Sequence, residues 1–422
     1  MKKPTALLLV VVVLAAAFVV YAWRQDGRGA IDASPSPGPL ALSGTPVERG
    51  RYLADAADCV ACHTAPGGEA YAGGLAFRLP FGTIYSSNLT PDPAAGIGGW
   101  SDEDFLKAVR SGVGRGGRHL YPAHPYTSYA GMAREDVLAI KAYLGTLPPV
   151  TAKVPDSDLR FPFSQRGLMP LWNAAYFNGA RFRPDAGHDA AWNRGAYLAT
   201  ALGHCGECHT PRNFAFALRQ GHALQGAVTR GWKAYDITAS GAGIGAWTEA
   251  ELNDYLASGH ATGHGAAAGP MREVVAFSTS RLTADDRAAL VSYLLSGRAA
   301  NDTATVPASA STAATPSATG MGATLYAGAC AGCHALDPAG AGNSVVDLRG
   351  ARSVRDPEAT NVLKILSEGS PHGTSDAVAM PAFGRGYSDT ERAALANFVL
   401  AQWGGITPSK TPNDARRARE AD

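Results

Sequence analysis

Read for its spacing of apolar and polar residues, the chain divides into one long apolar run and a series of short amphipathic segments. Lys2 and Lys3 precede an uncharged, strongly apolar stretch from Ala6 to Trp23, and Arg24 follows it. Such a run is either a cleaved secretory signal or a retained membrane anchor. Cleavage would fall after Ala22, but the run is long for a signal and just long enough to span, which favours the anchor. On that reading the two lysines stay cytoplasmic and everything after Arg24 is exported. No later segment is apolar enough to span.

Beyond Pro46 the pattern is helical. S/T-x-x-D/E capping patterns open segments at Ser101, Thr248, Thr283 and Ser388. Three amphipathic segments carry an acid and an aromatic two helical turns apart, hence on one face: Asp136 with Tyr143, Asp286 with Tyr293, and Glu391 with Phe398. No run alternates convincingly enough to predict a strand. The stretch 32–46 is rich in Pro, Ser and Gly, and 300–320 is an Ala/Ser/Thr/Pro tract without periodicity; both read as flexible connections. Asp414–Asp422 is charged and reads as a frayed end.

The pattern repeats. Tyr52 answers Tyr197, His63 answers His209, Trp100 answers Trp247 and Gly112 answers Gly259, at an offset that hardly drifts. A third, shorter segment after residue 320 lacks the Ile-Gly-x-Trp element shared by the first two.

The chemistry sits at corresponding points of the three segments. All six cysteines fall in three C-x-x-C-H pentapeptides: Cys59, Cys62 and His63; Cys205, Cys208 and His209; Cys330, Cys333 and His334. This is the attachment signature of c-type haem, in which two thiols form thioethers to the vinyl groups and the imidazole binds iron. A zinc half-site or a redox dithiol would not recur three times with no cysteine left over. The chain is therefore expected to be all-α: three tandem class I cytochrome c domains behind an N-terminal membrane segment, with three covalently attached haem c groups. The boundaries are 1–44 for anchor or signal and linker, 45–150 for domain 1, and 151–184 for an inter-domain segment. Domain 2 follows at 185–298, a linker at 299–319, domain 3 at 320–405 and a charged tail at 406–422. The 422 residues suit three domains, and a net charge of +1 indicates no nucleic-acid or polyanion partner.

A low-spin haem needs a second axial ligand. Met380, in Ala379-Met380-Pro381, and Met271, in Gly269-Pro270-Met271, each lie in a predicted loop ahead of the closing helix. In domain 1, counting on from Trp100 by the offset that relates it to Trp247 pairs Met271 with His124. Haem 1 is thus expected to have two histidine ligands and a lower potential. The alternatives are a surface histidine beside a turn, with Met132 or His119 ligating instead, or no sixth ligand. Trp100 and Trp247 are either propionate donors or core, and Arg78, Arg118, Arg212 and Arg349 are candidate propionate partners. His188, His222, His260, His264 and His372 have no counterpart in the repeat and read as solvent-facing.

Several stretches carry a family resemblance: Leu79 to Asp92, Gly96-Ile97-Gly98, Leu120-Tyr121-Pro122-Ala123, Phe161 to Arg166 with Trp172-Asn173, and Gly203-His204. From about residue 45 to 404 the chain resembles the three-haem cytochrome c subunit of bacterial membrane-bound dehydrogenases for alcohol, gluconate, sorbitol, fructose or aldehyde. The resemblance implies a partner catalytic subunit of molybdopterin, flavin or pyrroloquinoline quinone type in the periplasm. It implies electron delivery to ubiquinone or a terminal oxidase at the inner membrane, and no substrate-oxidising site in this chain. The family has methionine where this chain has His124. Some members carry a C-terminal amphipathic membrane segment, which is not seen after Trp403. The competing functions are a free-standing membrane-tethered carrier and a haem peroxidase with His124 as a distal acid–base group.

Overall fold

The computed structural model describes residues 44–298, 320–334, 347–370 and 379–421, together with Ala17, Phe18 and Val20. The chain forms two compact units, one ending at Glu207 and the other beginning at Cys208.

The first unit begins with α1 (Pro46–Ala56), capped by Thr45 and Glu48 in a reciprocal capping box. Asp58 follows in a left-handed conformation (φ 53°) and turns the chain into the single turn α2 (Cys59–Cys62). Asp is one of the few residues that tolerates this conformation without glycine. Strands β1 (Ala76–Leu79) and β2 (Gly82–Tyr85) form an antiparallel hairpin, Ala76 opposite Tyr85 and Leu79 opposite Gly82, with β5 (Asp158–Leu159) adding to β2. Helix α3 (Asp102–Ser111) starts at the Ser101–Asp104 capping box and stops at Gly112 (φ 68°). A two-residue pairing of β3 (Val113–Gly114) with β4 (Arg118–His119) leads to α4 (Tyr126–Tyr129) and α5 (Arg134–Leu144). Helices α6 (Met169–Tyr176) and α7 (Ala190–Tyr197) complete the unit.

Its core is the crossing of α1 with α5. Leu53, Leu106, Val137 and Leu144 are at most 1% exposed. The helices meet at Gly50, where a Cβ would run into the Ala139 carbonyl and lie 3.0 Å from Tyr143 Cβ. Beside that crossing Asp136 is fully buried. It is paired with Arg49 and accepts the Tyr197 hydroxyl at 2.6 Å, while the Ala133 amide donates to that same hydroxyl at 3.1 Å.

The short helix α8 (Gly206–His209) spans the boundary between the units along the chain. In the second unit, β6 (Ala227–Thr229) pairs with β7 (Trp232–Ala234) through the turn Arg230-Gly231, both with positive φ (49° and 72°), as a tight hairpin requires. Helix α9 (Glu249–Ser258) opens on the Thr248–Glu251 capping box. The pair β8 (His260–Ala261) and β9 (Gly265–Ala266) precedes α10 (Pro270–Phe277) and α11 (Ala284–Leu295). The third segment contributes α12 (Met321–Ala329), α13 (Thr360–Glu368), α14 (Asp389–Val399) and α15 (Pro412–Glu420). Its core gathers Tyr326, Val354, Leu363, Leu395 and Leu400. Helices α12 and α14 meet at Gly322 as α1 and α5 do at Gly50, since a Cβ there would run into the Ala394 carbonyl.

Two expectations are corrected. The chain is not all-α, because the described residues contain one three-stranded and three two-stranded antiparallel sheets. Their strands are two to four residues long, too short to show the alternation by which strands are read from sequence. Nor does the fold stand behind a membrane segment among the described residues, where no helix is long and apolar enough to cross a membrane. The run Ala6–Trp23 lies outside the described residues except for Ala17, Phe18 and Val20, and the linker 299–319 lies wholly outside them. The charged end differs as well. Helix α15 is capped by Thr411 and Asp414, buries Ala415, and receives Lys364 Nζ on the Ala421 carbonyl at 2.6 Å. Its charges line the outer side of a docked helix.

Candidate haem sites

Each repeat presents its C-x-x-C-H histidine in the same way. In the first, hairpin β1–β2 delivers the Ser87 carbonyl to His63 Nδ1 at 2.7 Å. In the second, hairpin β6–β7 delivers the Tyr235 carbonyl to His209 Nδ1 at 2.6 Å. A carbonyl can only accept, so Nδ1 carries the proton and Nε2 keeps its lone pair, which is how a metal-bound imidazole is oriented. Burial lowers the pKa of both rings, opposed by those same carbonyl bonds, so both are neutral donors. The hairpins therefore have a role the sequence did not reveal: they hold the histidines of the first two C-x-x-C-H motifs.

The thiols fit covalent attachment. All six cysteines are free of disulfides. Burial, with the charges of Asp58 and Cys62, pushes the Cys59 thiol far above its ordinary pKa, and burial raises Cys330 as well. At these two positions a redox dithiol or a zinc thiolate would need the opposite shift. No group of three or more His, Cys, Asp or Glu among the described residues is arranged to hold a metal ion directly.

Of the expected axial ligands, His124 is placed most tellingly. Its ring bonds the Ala108 carbonyl, and its Nε2 is buried with no hydrogen-bond partner. A buried unpaired nitrogen costs about 1–3 kcal/mol unless something meets it. Burial, with the charges of His63 and His204 close by, pushes the His124 pKa down to about 3. His63 lies close enough to His124 for its charge to act on that ring. Of the alternatives, Met132 is 1% exposed and His119 is buried on β4. His204 accompanies the site, its Nε2 3.3 Å from the Ala57 carbonyl and its ring edge-on to Tyr129, which also donates to Ala57.

Met271 lies in the first turn of α10 rather than in a loop. The preceding Gly269 (φ 53°) lies against Trp232 of β7, where a Cβ would come within 2.5 Å of the indole. Met380 pairs its backbone with Ser370 and packs against the third core. Cys330 is buried and Cys333 exposed, and Tyr326 donates its hydroxyl to the His334 carbonyl. Arg78, Arg118, Arg212 and Arg349 are all exposed, the last bound to Asp347. Trp247 is buried and stacks on His264 at 3.7 Å. His264, expected to face solvent, has a side chain only 7% exposed and lies 3.4 Å from Glu251. His372 lies outside the described residues.

Within the second unit a cavity of about 740 Å³ is lined by Tyr235, Asp236, Trp247, His264, Arg352 and Arg355. Arg352 is the functional candidate that the sequence concealed. It lies more than a hundred residues from the carbonyls it touches, and no local motif marks it.

Imidazoles held by Nδ1 directly after paired, disulfide-free cysteines define a c-type cytochrome, a protein that binds haem c covalently. Comparison agrees: residues 47–148 match the family model "Cytochrome c", and residues 318–399 match "Cytochrome C oxidase, cbb3-type, subunit III". The chain is 37% identical to the fructose dehydrogenase cytochrome subunit of Gluconobacter japonicus, over 92% of this chain and 86% of that one. It is 38% identical to the gluconate 2-dehydrogenase cytochrome c subunit of Pantoea cypripedii, over 89% of each. It is also 39% identical to a nicotinate dehydrogenase subunit of Pseudomonas putida, over 94% of this chain but only 34% of that longer protein. The chain belongs to the family of cytochrome c subunits of dehydrogenases, and its role is electron transfer.

Proposed function

We propose that the chain is the three-haem electron-transfer subunit of a periplasmic dehydrogenase complex. It takes electrons from a separate catalytic subunit of molybdopterin, flavin or pyrroloquinoline quinone type. It passes them to ubiquinone or a terminal oxidase on the periplasmic side of the bacterial inner membrane. The three haems sit on the modules 45–150, 185–298 and 320–405, attached through Cys59 and Cys62, Cys205 and Cys208, and Cys330 and Cys333. Their iron ligands are His63 with His124, His209 with Met271, and His334 with Met380. The observation that carries this reading is the matched anchoring of His63 and His209 on backbone carbonyls at 2.7 and 2.6 Å.

When bound, the haem supplies a one-electron ferric/ferrous couple. The chain's own residues set its environment. Ser87 and Tyr235 fix the imidazole tautomer, the cysteines fix the porphyrin edge, and the axial partner selects the potential. Peptide mass mapping tests the count: each of the three C-x-x-C-H peptides is expected to carry one haem, and two loaded peptides would refute three. Carbon monoxide and cyanide test the role. Six-coordinate carrier haems are expected to leave the reduced and oxidised spectra unchanged, whereas a shifted Soret band would mark an open iron and favour the peroxidase alternative.

A further inference from the structure

We infer that Arg352, contributed by the third segment, sets the reduction potential of the haem carried by the second. The inference rests on the haem site proposed at Cys205, Cys208 and His209. Two successive carbonyls of the loop after β7 have divided tasks. Tyr235 accepts from the iron ligand His209, and Asp236 accepts from the Arg352 guanidinium at 2.7 Å. A second guanidinium nitrogen donates to the Ala242 carbonyl at 2.8 Å, and the group stacks 5.0 Å over the Tyr235 ring.

Arg352 is therefore fixed on three sides against the segment that orients the iron ligand. These two hydrogen bonds end on neutral carbonyls, and Asp236 is an acid whose charge acts on the guanidinium. The nearby Lys233 is held by Asp356 at 2.7 Å. Arg352 lies close enough for its charge to act on the His209 imidazole, with Asp236 opposing it. Reduction adds one electron to the iron. A fixed, half-buried cation nearby stabilises that added negative charge, so it favours the ferrous state and raises the potential. The guanidinium stays charged at any working pH, so its contribution does not titrate away.

The test uses the full-length holoprotein and its variants R352Q and R352K in spectroelectrochemical titrations. The midpoint missing from a C205S/C208S double variant identifies haem 2. In R352Q the ferrous-to-ferric ratio of that haem at fixed potential is expected to fall about tenfold, about 59 mV for a one-electron couple, with the other midpoints in place. R352K keeps the charge but loses the planar fork, and is expected to retain most of the wild-type value. An unmoved haem 2 in R352Q, an equal fall in R352K, or a common fall of all midpoints would overturn the proposal while leaving the haem site intact. Absence of haem from the Cys205–Cys208 peptide of the wild-type protein would overturn the site, and the proposal with it.

Discussion

Replacing His124 by methionine is expected to raise the midpoint of one haem by on the order of 100 mV, a modest part of the roughly 0.8 V that axial ligands span. The other midpoints should stay where they are. Imidazole is the stronger donor to ferric iron and thioether the weaker, so the exchange withdraws support from the oxidised state. The surroundings of His124 favour a neutral ring. The ring is fixed on the Ala108 carbonyl, its Nε2 is buried without a partner, and burial beside His63 and His204 holds its pKa near 3. Methionine at the same point should also bring a near-infrared sulfur-to-iron charge-transfer band that the parent protein lacks for that haem. His124→Ala separates ligation from packing, because an opened iron binds carbon monoxide. If every midpoint survives His124→Met and His124→Ala stays indifferent to carbon monoxide, His124 is not on the iron.

The largest effect on stability is expected from Gly50→Val. Helices α1 and α5 approach so closely that even a Cβ meets the Ala139 backbone, and a backbone carbonyl cannot swing aside as a side chain can. Valine forces the helices apart and strains the contacts of Leu53, Val137 and Leu144. The cost is about 1–3 kcal/mol or more for overpacking of this kind. Thermal unfolding of the holoprotein should show a fall of roughly 5 °C or more. The equivalent change at Gly322 is expected to act on the other unit, so a calorimetric trace with resolved transitions should assign each loss. A melting temperature within about one degree of the parent would mean that the crossing has room the packing does not show.

Local chemistry was legible in the sequence, and long-range assembly was not. The capping boxes at Ser101, Thr248 and Ser388 form as read, because a capping box is a four-residue event. Thr283 caps Asp286 from one side only. Asp136 and Tyr143, expected to share a face, both meet α1, through Arg49 and Gly50. Counting along the repeat singled out His124, whose Nε2 is buried with no hydrogen-bond partner. The hairpins escaped notice because strands of three or four residues hold too little alternation to read, although Arg230-Gly231 carries the turn chemistry. Helix α15 escaped notice because its stability comes from docking on α13 and α14 rather than from an apolar face of its own. Arg352 could not be found at all, since its partners are set by the pairing of two distant segments.

The buried Asp136 has a consequence for biosynthesis. Its partners are Arg49 at the start of the first repeat and Tyr197, the helix residue that leads into the second C-x-x-C-H motif. While only the first repeat has emerged, on whichever side of the membrane the chain folds, the carboxylate of Asp136 still lacks the Tyr197 hydroxyl. That module cannot finish packing until about fifty further residues have emerged, so its maturation is timed by chain that belongs, by repeat, to its neighbour.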